Sequence, residues 1–249
     1  MVSKVKISVV SYLNSKPFIY GIENSPALKK HNCILETDLP ATCAEKLLTG
    51  QVDLGLVPVI IIPQLKESHI ISDFCIGANG RVKTVMLYSQ VPINEIKQIY
   101  LDYQSRSSVM LTRILANELW NINPIWIPAH KGYEQLISNK SAAVVIGDRA
   151  FTMNGEYKYE YDLAKEWMTL TGMPFVFACW VANKRLPEEF ISDFNLALKH
   201  GLNSLKIVAD SFSEKNDNLL EYFTKYISYN LDNQKRDALH LFLQKASGL

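Results

Sequence analysis

The feature that most restricts what this chain can fold into is a rhythm. Short apolar runs of strand type alternate with amphipathic helical patterns, and the alternation restarts midway. Residues 5–10 form the first run, and a Ser/Asn/Pro turn spans residues 11–17. Residues 40–45 open a helix in which Thr42 and Glu45 have capping-box spacing, each side chain placed to satisfy a backbone N–H at the other position. Leu47 and Leu48 extend its apolar face, and Gly50 is placed to end it. Residues 52–59 read as a strand that Pro58 ends or confines to an edge, because proline has no N–H for a ladder.

The second stretch begins near residue 97. Residues 98–102 read as a strand, and Ser105 to Ser108 open a helix striped by Met110, Leu111, Ile114, Leu115, Leu119 and Trp120. Strand 125–127, a helix over 133–137 and strand 142–146 add two further steps. Residues 162–169 read as a helix closed by Thr171-Gly172, ahead of a strand over 175–182. From Pro187 onward the pattern is nearly all helical, with a polar break around residues 213–218. Strands alternating with helices imply a mainly parallel α/β sheet. There is no low-complexity linker and no fixed-period repeat, so two α/β lobes joined by short crossovers are expected. Residues 1–88 and 176–249 would form the first lobe, and residues 89–175 the second.

Charge narrows the partners. Twenty-six Lys and Arg against 25 Asp and Glu leave a formal net charge of +1 over 249 residues. That balance lacks the basic surplus of a nucleic-acid binder, and 48% hydrophobic residues exclude a disordered polyampholyte. An anionic ligand must therefore be held by local donors. The longest apolar stretch, residues 54–62, contains Pro58 and falls well short of the ~20 residues of a membrane span. The first eleven residues alternate as a strand does and lack the apolar core of an export signal. A cytoplasmic protein with no membrane and no nucleic-acid partner is expected. Cys33, Cys43, Cys75 and Cys179 show no CxxC spacing and read as buried free thiols. The five histidines form no paired-ligand pattern, and GxGxxG, GxxxxGK[ST] and GxSxG are all absent. No metal and no nucleotide cofactor are expected.

Four segments carry chemistry, each with a plainer alternative. Ser105-Arg106-Ser107-Ser108 places hydroxyls at a helix N-terminus, where exposed N–H groups favour an anion; ordinary N-capping explains the same serines. Ser11-Tyr12-Leu13-Asn14 follows a strand end, where open α/β sheets hold ligands. Asn14 there offers a donor and an acceptor, or simply an Asx-type turn before Pro17. Gly77 to Thr84 is a glycine-punctuated loop in which Lys83 is a counter-charge or a solvated lysine. Asp148, in Ile146-Gly-Asp-Arg-Ala150, polarises a hydroxyl or caps the next turn, and spacing alone favours capping. Trp167, Phe175 and Trp180 line a pocket or belong to a core, the commoner fate of such aromatics.

Taken in order, these segments resemble the blocks of one known family. Residues 9–18 (Val-Val-Ser-Tyr-Leu-Asn-Ser-Lys-Pro-Phe), 43–59, 80–85, 101–108, 146–150 and 171–180 resemble the MqnA/MqnD family of menaquinone biosynthesis. The likeness runs from about residue 5 to residue 182, with a weaker helical tail. The Ser-Tyr-Leu-Asn opening is similar to the MqnA branch, which dehydrates chorismate. The sister MqnD branch, which forms 1,4-dihydroxy-6-naphthoate, opens on a Ser-Pro-Cys-Pro-Asn-like turn that is absent here. Thr84 stands where Ser would be common, and Lys16 and Lys83 occupy variable positions.

The resemblance implies a type II periplasmic-binding-protein-like fold, two α/β lobes with a ligand cleft between them. It also implies cofactor-free dehydration of chorismate to 3-[(1-carboxyvinyl)oxy]benzoate, with chorismate as the small-molecule partner. On that expectation the Ser107/Ser108 helix N-terminus, helped by Arg106, receives one carboxylate. Ser11, Tyr12, Asn14 and Thr84 meet the ring substituents or the other carboxylate from the first lobe. Asn14 and Asp148 are the catalytic candidates, with Asp148 the protein-side proton acceptor unless a substrate carboxylate takes the proton. A solute-binding protein for a small carboxylate would share the fold, but its lack of an export signal counts against it. A LysR-type effector domain would need an N-terminal helix-turn-helix that this chain lacks.

Overall fold

The computed structural model describes residues 4–212, 214 and 218–249. Most of the polar break expected over 213–218 lies outside the described residues. Eleven strands are described among them: β1 (Val5–Val10), β2 (Cys33–Asp38), β3 (Leu54–Pro58), β4 (His69–Ala78), β5 (Val85–Ser89), β6 (Gln98–Leu101), β7 (Ile125–Pro128), β8 (Ser141–Ile146), β9 (Tyr159–Asp162), β10 (Phe175–Ala182) and β11 (Ser228–Asn230). They form a six-stranded sheet, β11-β4-β10-β3-β1-β2, and a five-stranded sheet, β7-β6-β8-β5-β9.

Both sheets are mixed, which corrects the expectation of mainly parallel pairing. β1 runs parallel to β2 and β3, but β10 lies antiparallel to β3 and β11 antiparallel to β4. In the second sheet β6 is parallel to β7 and β8, while β5 is antiparallel to β8 and β9. These antiparallel pairs all join strands distant in sequence, and they include β5 and β10, next to the points where the chain passes from one unit to the other. Pro58 is the last residue of β3, so it ends the strand, as one of the two expected options had it.

Two compact units result. The first comprises Met1–Gly77 and Phe177–Asp232, the second Ala78–Val176 and Asn233–Leu249. The first unit resumes at Phe177, and two boundaries differ from those expected. The first crossing comes at residue 77 instead of 88, because β5 pairs with β8 and β9. Thr84, expected beside Asn14 in the first lobe, therefore belongs to the second unit. The chain's last helix, Asn233–Ala246, also belongs there: its Phe242 ring packs 4.9 Å from Phe175 and 6.1 Å from Trp167. Trp167, Phe175 and Trp180 are all core residues.

Helix Pro40–Leu48 shows how a sequence signal is half right. Its N-cap is Leu39 and no side chain caps it, so the Thr42/Glu45 box does not form; Pro40 already occupies the first turn and places Thr42 inside the helix. Its end follows the expectation. Gly50 adopts φ +71, with Gly50 N donating to Leu47 O at 3.2 Å and Gln51 N to Lys46 O at 2.9 Å, a Schellman closure.

The first unit depends on the crossing of helices Lys16–Asn24 and Glu188–Asn203, two segments far apart in sequence. A β-carbon built on Gly201 would lie 1.8 Å from Pro17 O, and one on Gly21 2.1 Å from Ala197 O. Those contacts are to backbone, which cannot swing away, so the two helices touch main chain to main chain. Gly201→Ala is expected to lower unfolding stability by about 3 kcal/mol. Urea titration of the variant against wild type measures the loss, and a shift under about 0.5 kcal/mol would show that the crossing yields.

Candidate functional site

In the second unit three of the sequence segments converge on one buried carboxylate. Asp102 lies just beyond β6, its side chain fully buried. Its Oδ1 accepts from Gln104 N at 2.8 Å. Its Oδ2 accepts from Ile146 N at 3.1 Å, the Tyr133 hydroxyl at 2.8 Å and the Arg149 guanidinium at 2.5 Å. Arg149 also pairs with Glu134 and lies 5.5 Å from the Tyr103 ring and 5.7 Å from the Tyr133 ring. One acid therefore ties the turn leading into helix Ser107–Glu118 to the end of β8 and to the helix that follows it. Burial pushes the Asp102 carboxyl above its ordinary range against the pull of Arg149, and burial likewise raises the Tyr133 hydroxyl.

A second buried acid does the same for the Arg81–Thr84 loop. Asp162 caps helix Leu163–Thr171, Oδ1 accepting from Ala164 N at 3.1 Å and Lys165 N at 3.2 Å. Its Oδ2 accepts from Val82 N at 2.9 Å and Lys83 N at 2.8 Å. Lys83 is held at φ +64, in the left-handed region that a lysine seldom adopts. Gly147 N then donates to Thr84 O at 2.8 Å, joining this loop to the Ile146–Ala150 turn. Thr84 is buried.

These contacts bring together the backbone around Thr84, Ser107/Ser108 and Asp148. Ser107 and Ser108 are buried in the first turn of their twelve-residue helix, and Arg106 is its half-buried N-cap. The capping contact comes from neither, since Ser108 N donates to Ser105 Oγ at 3.1 Å. Asp148 stands at the N-cap of helix Arg149–Met153 but makes no cap bond, contrary to the reading that spacing favours. Its dihedrals, φ −63 and ψ −22, are already helical, so its carboxylate does not reach the first amides as an extended cap would.

In the first unit Ser11, Tyr12 and Asn14 follow the end of β1. Ser11 N donates to Asp38 O at 2.9 Å, and Tyr12 leads into a single 3-10 turn, Leu13–Ser15. Asn14 makes no Asx bond: its Oδ1 is buried and has no hydrogen-bond partner among the described residues. A buried carbonyl left that way costs about 1–3 kcal/mol. The segment after it, expected as a turn to Pro17, continues into helix Lys16–Asn24, which proline in the first turn permits.

The four cysteines are free, and burial pushes Cys43 up to about 12, which rules it out as a nucleophile. His31, Glu189 and Asp193 bring ligand atoms within 4.8 Å of one another. Lys30 lies 2.7 Å from Glu189 and 2.9 Å from Asp193, so both carboxylates already have a cation. The group is an ion-pair cluster. Asp102, Tyr133 and Arg149 received no role from the sequence, although Asp102 and Arg149 stand inside quoted segments. An acid at a strand end just before a serine-rich helix start is the signal that marks them.

Two mixed α/β units, the first interrupted by the second, define a periplasmic-binding-protein-like protein. The chain is similar in structure to protein AF1704 from Archaeoglobus fulgidus (TM-score 0.69, 12% identity, 98% of this chain and 97% of that one). It is also similar to the Candida albicans CA3427 gene product, described as having the generic periplasmic binding protein fold (TM-score 0.68, 12% identity, 99% and 91%). The periplasmic aliphatic sulphonate binding protein SsuA from Escherichia coli matches at TM-score 0.57 and 16% identity over 98% and 91%. Residues 5–248 match the menaquinone-biosynthesis family, and the chain belongs to it. A chorismate dehydratase from Thermus thermophilus is 26% identical over 83% of this chain and 84% of its own length. Among the described residues no helix is long and apolar enough to cross a membrane.

The Asp102 network has a pH signature. The unfolded carboxyl ionises near 3.8 and the folded one at higher pH. Its contribution to stability is therefore complete below 3.8 and is lost as pH rises through the folded value. The stability of wild type relative to Asp102→Asn is expected to fall as pH rises above about 4 in urea unfolding. A difference that grows with pH would mean that the Arg149 pair outweighs burial.

Proposed function

We propose that this protein is a chorismate dehydratase, a hydro-lyase of the cytoplasm that converts chorismate to 3-[(1-carboxyvinyl)oxy]benzoate and water. The observation that carries the proposal is membership of the menaquinone-biosynthesis family together with similarity, over most of the chain, to a relative of that name. The chemistry asks little of the protein. Loss of the C4 hydroxyl and the C3 proton makes the ring aromatic, so the drive lies in the substrate. The protein must orient a dianion, help a proton leave and stabilise a departing hydroxyl.

The residues suit those tasks. The first turn of helix Ser107–Glu118, with its two buried serines and Arg106, offers backbone and hydroxyl donors to a carboxylate. Thr84 is placed for a further polar substituent, and Ser11 and Tyr12 remain binding candidates by the family resemblance. Asn14 offers a buried, unpartnered acceptor that orients the C4 hydroxyl, and the C3 proton passes through the group that accepts it to the departing hydroxyl, which leaves as water. A substrate carboxylate is the proton acceptor in this scheme, with Asp148 as the protein-side alternative. Covalent and thiol chemistry find no support in the buried, raised Cys43.

Purified protein and chorismate, followed for the aromatic enolpyruvyl product, test the assignment directly. Binding without turnover would favour a solute receptor, and dihydroxynaphthoate from cyclic dehypoxanthine futalosine the sister activity. Asn14→Ala is expected to lower kcat by about 100-fold, through lost orientation of the hydroxyl. Replacing Ser107 and Ser108 by Ala is expected to raise KM about tenfold, the loss of one or two good hydrogen bonds. Full activity in Asn14→Ala would remove Asn14 from the site, and near-wild-type turnover in Asp148→Asn would leave proton transfer to the substrate.

A further inference from the structure

The turn that carries Asn14 is reached by a side chain from far along the sequence. Tyr229, in β11, donates its hydroxyl to the Asn14 carbonyl oxygen at 2.9 Å across 215 residues. Its ring packs edge-on against Phe18, with centroids 5.3 Å apart at 78°, four residues past Asn14. Tyr229 is buried, and burial holds its hydroxyl protonated. β11 is fixed in turn by β4, through the Ser228 to Gly77 and Asn230 to Phe74 pairings and a bond from Leu231 N to Asp73 O at 2.8 Å. On the other side of Asn14 the Ser15 hydroxyl donates to Val10 O and, at 2.9 Å, to Tyr12 O. Tyr229 thus holds the Asn14 main chain directly and Ser15 holds the turn around it, while the Asn14 Oδ1 stays buried and unpartnered.

We infer that Tyr229 is a positioning residue for Asn14, its hydroxyl setting the direction in which the Asn14 side-chain carbonyl meets the substrate. A loose turn would let that carbonyl swing to a neighbouring donor; a tethered one keeps it aimed, so no reorganisation accompanies the reaction. The inference rests on the role proposed above for Asn14 in chorismate dehydration. The hydroxyl touches no reacting atom and acts only through the Asn14 backbone.

Tyr229→Phe deletes one oxygen and keeps the ring on Phe18. It is expected to lower kcat about tenfold with KM within twofold of wild type and an unchanged circular dichroism spectrum. Combined with Asn14→Ala, it is expected to cost nothing further, because the group it positions is gone. The Asn14 side-chain amide resonance is expected to shift or broaden in Tyr229→Phe without any ligand. A kcat within twofold of wild type would overturn the inference. So would a double variant tenfold below Asn14→Ala, or an unmoved Asn14 resonance. Should wild type fail to turn over chorismate, the reaction assignment falls, and the amide resonance still decides the tether: a shifted signal upholds it, an unshifted one overturns it.

Discussion

A carboxylate that water does not reach must find its hydrogen bonds inside the protein, and the second unit is arranged around that requirement twice. Asp102 gathers a guanidinium, a phenol and two backbone amides. Asp162 gathers four backbone amides. Leaving either acid unpaired would cost several kcal/mol, so the loops that supply the donors cannot drift independently. Three loops that would otherwise be free surface connections are thereby fixed relative to one another, and every candidate binding residue of the unit lies on one of them. Rigidity of this kind suits a site that works with few hydrogen bonds.

Much of this was legible beforehand, for identifiable reasons. β8 and β10 are buried, almost wholly apolar runs, and β1 and β6 are short and largely apolar, so strands of that type announce themselves. Gly50 and Gly172 mark helix ends because only glycine takes positive φ cheaply, and both were readable. β2, β9 and β11 were not. Their residues are mixed or partly exposed, Cys33–Asp38 having no buried position at all, so pairing with neighbours makes them strands, which composition does not reveal. The first domain boundary differs by one loop and strand for the same reason: β5 belongs with β8 and β9 through long-range pairing.

At the site the sequence identified the loops better than the atoms. It placed Asn14, Ser107 and Ser108 at element ends, where the structure has them. Of the two roles open to Asp148, polarising a hydroxyl or capping, its helical dihedrals prevent the cap; Asp102 receives no role from the sequence, because a buried acid is recognisable only once its donors are assembled. The near-neutral composition keeps its meaning. With 26 cationic against 25 anionic side chains, attraction of a dianion rests on local dipoles and on a few residues such as Arg106.

The interrupted first unit also dictates an order of events during synthesis. β10 lies between β3 and β4 in the first sheet, yet it is translated only after the whole second unit's sheet has been made. Until then β1, β2 and β3 can pair with one another but have an open edge at β3. Helix Lys16–Asn24 meanwhile waits for the glycine-to-glycine partner that residue 201 provides. The second unit's sheet, contiguous from β5 to β9, has no such delay and can close while the ribosome is still at work. A nascent chain of this protein therefore carries an unfinished amino-terminal half for most of its synthesis, and a chaperone that shields β-sheet edges would find its target there.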